Sequence, residues 1–420
     1  MLCLLSASKS TKENYVLQRL DAELGAAPPG LRFPIGIRNQ VLFVLVVVAV
    51  AAVALSGFVG EAPNRLVSGK PVALWVAAGA LPTAGIAVLG ASLAAACLIR
   101  PSSALHGAVA AFAAALLLLV LAAAGQAASL LAQSATPASR ISLGPAFWVL
   151  GACAALVVGD ALQRLGAGIV AQFVTVVGIA SGMLLMAASG TFDALSLTKE
   201  YEIHRQVFAQ AMARHMTLVG ASVGAAAAIG FPLGVMIARR PGLQGPVFAV
   251  LNFLQTIPSI ALFGLLIVPL SALVAAMPRL AAYGVGGIGV TPAIIALVLY
   301  ALLPVVRSTS VGLTDVDSAA IEAGRGMGMS PAQIFREIEL PLALPVLLAG
   351  LRIVTVQAIG LAVVAALIGA GGLGTFVFEG LGQYAVDLVL LGALPAIFLA
   401  LGADFMLQIL TAALRRRFAL

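Results

Sequence analysis

The sequence is poor in charge. Only 9% of its 420 residues are Asp, Glu, Lys or Arg, where an average soluble domain carries about 25%. A globule of this size needs a polar shell, so a soluble enzyme, a disordered chain and a nucleic-acid-binding domain are excluded. Cysteine is scarce as well. Cys3, Cys97 and Cys153 are odd in number, and the last two sit in apolar runs. That leaves no disulfide framework, and no CxxC or His/Cys cluster for a metal. Acids, histidines and serines do not gather at one depth as catalysis in a membrane would require, so no catalytic residue is assigned. A phosphate-binding loop, G-x-x-x-x-G-K-[ST], is missing too: the only Gly-Lys pair, Gly69-Lys70, is followed by Pro71.

What the sequence has is apolar surface. Hydrophobic residues make up 62% of the chain, in continuous runs rich in Ala, Leu, Val and Gly. A β-barrel reads instead as short alternating segments. The fold class is therefore an all-α polytopic membrane protein. A crossing helix needs about 20 apolar residues, and about ten such runs are found. They lie near 41–60, 72–98, 105–132, 145–163 and 166–189, then near 216–238, 246–270, 291–307, 343–367 and 386–412. Residues 1–40 read as a cytoplasmic tail rather than a signal peptide, because the first long run starts only at Val41. With that tail inside, sixteen of the 23 basic residues fall on the cytoplasmic side, as basic loop residues do. Both termini are accordingly placed in the cytoplasm. The net charge of +7 belongs to those loops and to no nucleic acid.

Residues 191–215 are too polar to span. Ile203, Val207, Phe208, Ala211 and Met212 share a helical face there, which predicts an amphipathic helix at the outer interface. It separates a five-helix region at 41–190, with no legible role, from a second five-helix region at 216–414. His204 and His215 in this segment are read as exposed. Placement in the interfacial belts accounts for most of Trp75, Tyr201, Tyr283, Tyr300 and Tyr384.

The polar stretch at 309–341 carries the most information. Asp315, Asp317 and Ser318 are helix-capping types ahead of a short run of helix formers. Gly324, Gly326 and Gly328 allow a sharp turn. Ser330-Pro331 starts a second short helix with Ile334, Phe335, Ile338 and Leu340 on its apolar face, and Pro341 is expected to end it. Two short helices on a glycine elbow make a knob suited to a groove on a partner. An ordinary structured loop is the plainer alternative.

Glu322-Ala323-Gly324, then Gly328, then Ile338, Leu340 and Pro341 resembles the EAA motif of ABC importer permeases. That motif reads E-A-A, three residues, G, nine residues, I-x-L-P. Six positions separate Glu322 from Gly328 and ten separate Gly328 from Ile338, as the motif requires. Gly324 replaces the second Ala. More of the chain, about 191–412, resembles the osmoprotectant branch of that family, which takes up glycine betaine, choline or carnitine. Gln255-Thr256-Ile257-Pro258-Ser259, Gly350-Leu351-Arg352 and Ala370-Gly371-Gly372-Leu373-Gly374 carry that likeness. The resemblance implies a C-terminal type-1 importer core, with Glu322, Ala323, Gly324, Gly328, Ser330, Ile338, Leu340 and Pro341 forming the loop that couples to an ATPase. It implies that this chain binds no cofactor and that ATP and Mg sit on a separate ATPase dimer. It also implies a periplasmic or lipid-anchored solute-binding protein and a second permease, identical or related. The setting is a bacterial inner membrane, with lipid as the surrounding partner.

Further expectations come from the residues themselves. Gln255, Thr256, Pro258 and Ser259 interrupt an apolar helix, and the groups they free either line a path or bind neighbouring helices together. Gly371, Gly372 and Gly374, with Gly369, form either an outer gate or a plain external turn. Arg352 and Asp404 lie too deep for loop residues, so they are expected to pair; Asp160 and Arg164 pair locally. A secondary transporter with inverted five-helix halves is the rival class. It would need ion-binding acids in both halves, and within its spans the first half offers only Asp160, near a helix end. Another small solute, such as an amino acid, is the rival substrate.

Overall fold

A computed structural model of the chain describes residues 36–417 apart from 65, 66, 68, 135, 137 and 283. Most of the expected tail, with Cys3, Arg65 and Tyr283, lies outside the described residues. The apolar runs become helices because Ala- and Leu-rich segments satisfy their own backbone where water is absent. Eight of the described helices are long and apolar enough to cross a membrane, and two shorter apolar ones, α1 (Gln40–Leu55) and α2 (Ala80–Ala96), accompany them.

The first region packs α1, α2, α3 (Ser103–Ser134) and α4 (Pro145–Arg164) around one core, with α5 (Ile169–Ala188) on its flank. Short segments between the helices pair as a three-stranded antiparallel sheet. Its central strand β1 (Val59–Ala62) lies between β2 (Lys70–Val72) and β3 (Arg140–Leu143), with Val59 opposite Val72 and Leu143. The expected span at 72–98 is correspondingly shorter. A single turn, Leu74–Ala77, precedes a left-handed break at Gly79, φ +78°, and α2 starts beyond it.

The second region is built on α6 (Ser196–Arg239), α9 (Val290–Thr314) and α12 (Leu340–Val364), with α9 packed between the other two. Small residues allow the close approach. A Cβ on Gly234 would sit 2.5 Å from Thr309 of α9, and one on Gly350 would meet the Ser308 hydroxyl. Two expectations are corrected here. The amphipathic segment is no separate interfacial helix: α6 runs unbroken for 44 residues, about 66 Å at 1.5 Å per residue, roughly twice the hydrocarbon thickness. The run at 246–270 is no single helix either. It divides at Ile257-Pro258 into α7 (Gln244–Thr256) and α8 (Ser259–Ala276).

After α9 come α10 (Ser318–Gly326) and α11 (Pro331–Ile334). A π-helical turn, Phe335–Glu339, then leads directly into α12. Beyond α12 a 3₁₀ turn, Ala365–Ile368, and a glycine turn lead to α13 (Gly374–Gly382) and α14 (Val386–Arg417). The two regions meet through polar contacts at the sheet. Ser142 donates to Asp387 of α14 at 2.6 Å, Lys199 of α6 donates to the Ser139 carbonyl at 3.4 Å, and Arg140 faces Glu200 at 4.0 Å. Phe173 of α5 stacks on Phe405 of α14, ring centres 6.2 Å apart.

Candidate functional site

The motif residues of 309–341 fold as an elbow at one end of α9 and α12. The Asp317 carboxylate caps α10, accepting from the Ala319 N–H at 2.9 Å, which satisfies one of the free donors of the first turn. The helix closes through Gly328, whose φ is +80°. There the Met329 N–H returns to the Gly324 carbonyl at 3.1 Å and the Gly328 N–H to Arg325 at 3.0 Å, a left-handed helix stop that glycine adopts without strain. Ser330 then caps α11 reciprocally. Its N–H donates to Gln333 Oε1 at 2.8 Å and its hydroxyl accepts from the Gln333 N–H at 3.4 Å.

Packing explains the glycine at the third motif position. Gly324 is buried, and a Cβ there would stand 2.6 Å from Ile338 Cδ1 and close to Met329 and Ile334. Ile334 is fully covered, and Ile338 and Leu340 are half-buried beside it. The expected stop at Pro341 is corrected. Proline has no N–H to give the preceding turn, and the π turn ahead of it widens the helix. The Leu340 N–H reaches back five residues to Phe335, so the helix continues into the span. Glu322, Ala323, Arg325, Gly326, Met327 and Ser330 stay exposed, with Met327 at the tip.

One contact escaped the sequence. Glu339 is buried, and Arg239 at the end of α6 holds both its oxygens. Nη1 donates to Oε1 at 3.0 Å, Nη2 donates to Oε2, and the guanidinium lies 5.9 Å above the Phe335 ring. Such a two-point carboxylate grip is strong and directional. It fastens the elbow to α6. The sequence offered only a basic pair at a helix end, Arg239-Arg240, which is equally the mark of any cytoplasmic loop.

At the helix break, Gln255 donates to the Tyr300 carbonyl at 2.8 Å, and the Tyr300 hydroxyl donates to the Ile257 carbonyl. Tyr300 is therefore no belt residue. It is buried in α9 and satisfies a carbonyl that the break exposes. Thr256 bonds its own helix at the Phe253 carbonyl, 2.7 Å away, while Thr256 and Pro258 are exposed and Ser259 half-buried. Glue between α7 and α9 is thus the role the geometry gives Gln255.

The glycine turn lies at the other end of α9 and α12 from the elbow, where the Gly289 N–H donates to the Ile368 carbonyl at 2.8 Å. Gly369, Gly371 and Gly372 all have positive φ, between +77° and +88°. The turn rests on α6, with Gly371 against Arg214 and Gly372 against His215. At Gly374 a Cβ would fall 1.9 Å from the Val363 carbonyl oxygen. His215, expected to be exposed, is completely buried under this turn. The face of α6 that packs inward is Glu200, His204, Phe208, Ala211 and His215, with Phe208 and His204 against Phe376 of α13. Ile203 and Val207, expected on that face, point outward.

Arg352 and Asp404 meet across α12 and α14. Nη2 donates to Oδ2 at 2.7 Å and Nε donates to Oδ1. Asp160 and Arg164 pair within α4 at 2.7 Å. No group of three His, Cys, Asp or Glu side chains capable of holding a metal occurs among the described residues.

Comparison with known proteins adds the following. Residues 230–419 match the family described as "Binding-protein-dependent transport system inner membrane component", and residues 37–198 match the one described as "ABC transporter permease YehY, N-terminal domain". The osmoprotectant import permease protein OsmW of Salmonella typhimurium is 44% identical over 195 residues, 46% of this chain and 86% of that protein. The carnitine transport permease protein OpuCB of Listeria monocytogenes is 40% identical over 194 residues, 46% of this chain and 82% of the other. The choline transport system permease protein OpuBB of Bacillus subtilis is 37% identical over 195 residues, again 46% and 82%. Among solved structures, the MetNI methionine ABC transporter in an inward-facing conformation aligns with a TM-score of 0.44 at 25% identity, over 51% of this chain and 98% of that one.

Proposed function

This chain belongs to the osmoprotectant branch of the ABC importer permeases, with an N-terminal membrane extension, and we propose that it imports glycine betaine, choline or carnitine together with a separate ATPase dimer and a solute-binding protein. One observation carries the coupling half of that reading: the elbow is rigid, capped at both helices, and built into the ends of α9 and α12 while Arg239 fastens it to α6. A push on Glu322, Ala323 or Met327 is therefore a push on three spans at once. ATP and Mg are held by the partner ATPase, whose closure moves the elbow. The far ends of α9 and α12, under the glycine turn, then tip the pathway from inward-open to outward-open. The loaded binding protein favours the outward state from the other side, so two partners bias one equilibrium. Both termini and the elbow face the cytoplasm of a bacterial inner membrane, and a second permease, identical or related, completes the pathway.

Disulfide trapping tests the docking. With a cysteine introduced on the facing surface of the ATPase and an added thiol oxidant, Met327→Cys at the exposed tip is expected to crosslink to the ATPase subunit, and Tyr384→Cys near the opposite end is not. Crosslinking at Tyr384 alone would overturn the assignment.

A further inference from the structure

We propose that Arg352 and Asp404 form a zwitterion-binding subsite on the translocation path, which rests on the import function proposed above and names the group that reads the solute. Arg352 is the thirteenth of the 25 residues of α12, and Asp404 lies midway along α14. Both are near the middle of their spans, yet their side chains are 38% and 33% exposed. They open onto a groove of about 580 Å³ lined by Ala349, Ile353, Val356 and Gln357, within the ~300–1,000 Å³ of small-molecule sites.

Three surroundings exist for such a face. Lipid is excluded, because a charge pair turned toward hydrocarbon at mid-depth loses its hydration and gains nothing in return. A dry seam against a second permease would bury the pair's remaining hydrogen-bonding capacity unsatisfied. Two of the five guanidinium N–H groups are engaged by Asp404, so three donors remain, and the carboxylate keeps unused lone pairs. A water-lined path satisfies all of these.

The chemistry then matches one class of solute. A betaine-type zwitterion carries a carboxylate and a cationic head. The free N–H groups of Arg352 donate to the carboxylate, Asp404 faces the cation, and Gln357 offers a neutral hydrogen-bonding group beside them. Without solute the two charges neutralise each other, so the path is not left with a bare charge. Choline shares the cationic head and lacks the carboxylate, so it needs Asp404 more than Arg352.

The test is uptake into proteoliposomes by the complete importer, with one binding protein and three solutes: glycine betaine, carnitine and choline. Arg352→Gln is expected to lower betaine and carnitine uptake at least tenfold more than choline uptake. Asp404→Asn is expected to lower all three. ATPase stimulation by the loaded binding protein reports assembly independently. Equal losses for all three solutes in Arg352→Gln, with that stimulation intact, would overturn the subsite. Where a single change blocks assembly, Arg352→Gln with Asp404→Asn leaves no lone charge. That double variant is expected to assemble with at least tenfold loss of betaine uptake, and unchanged uptake would overturn the idea. If the unaltered importer moves none of the three solutes, the proposed function fails and this inference with it; if it moves them and Arg352→Gln loses all three equally, only the subsite fails.

Discussion

Gly328 offers the sharpest perturbation of the coupling elbow. Its φ is +80°, and nothing lies within 4 Å of where a Cβ would sit. A substitution therefore meets no steric obstacle inside this chain, and its effect on the elbow is purely conformational. Forcing an ordinary L-residue into the left-handed region costs about 1–2 kcal/mol. Restricting the unfolded chain returns about 0.4–1 kcal/mol on going from Gly to Ala. The net for Gly328→Ala is about 1 kcal/mol, or roughly a fivefold loss in the ratio of formed to unformed elbow. Asn tolerates this conformation and should cost less; Val, branched at Cβ, should cost more. Co-purification of the ATPase and its stimulation by loaded binding protein should fall in the order glycine, Asn, Ala, Val. Gly328→Asp matches Asn in shape but carries a charge, so it isolates the cost of desolvation at a docked surface. We expect the Asp variant to reach the membrane and remain uncoupled, clearly worse than Asn. Alanine equal to the unaltered protein, or Asn no better than Val, would refute the conformational reasoning. Asp equal to Asn would refute burial of the tip against a partner.

Three other outcomes are expected. Arg239→Ala leaves the buried Glu339 carboxylate without its cation and should lower stability by about 2 kcal/mol, below the ~3–5 of a fully buried pair because Arg239 is half exposed; a thermal shift in detergent measures it, and no shift would mean the grip is idle. Tyr300→Phe removes the donor to the Ile257 carbonyl at the helix break and should cost about 1–3 kcal/mol, read in the same assay; Gln255→Leu should act on the same break and so add less than its own single effect. Gly374→Ala places a methyl 1.9 Å from the Val363 oxygen and should abolish accumulation of the folded permease, whereas Gly371→Ala, 3.4 Å from the flexible Arg214 side chain, should cost about 1 kcal/mol net, as at Gly328, through its φ alone.

Local chemistry was legible where the sequence itself sets the spacing. The capping residues Asp317 and Ser330, the turn at Gly328 and the apolar face of Ile334 and Ile338 lie within one short segment, and their order dictates how they meet. Arg352 and Asp404 were legible for a different reason: in a membrane a deep charge must find a partner, and few were available. What stayed hidden depended on long separations. Glu339 meets Arg239 across 100 residues, and Tyr300 meets the break at Ile257 across 43. No pattern within either segment announces the other. The sheet was invisible because strands of three or four residues show no useful alternation. The extended α6 was misread because polar periodicity outside the bilayer looks the same whether a helix lies on lipid or stands on protein. Contact with the sheet, the glycine turn and α13 decides it: Glu200 turns to Arg140, His215 to Gly372, and His204 and Phe208 to Phe376, while Ile203 and Val207 face out.

Uptake is the most direct measurement. The permease, expressed with an ATPase subunit and a solute-binding protein in a bacterial host lacking its own betaine transporters, should import labelled glycine betaine in an ATP-dependent manner. That uptake should vanish in Gly328→Asp while the protein stays in the membrane. Import that continues undiminished in that variant, or that proceeds without the ATPase, would contradict coupling through the elbow. A stable complex that imports none of the osmoprotectants and carries an amino acid instead would contradict the substrate.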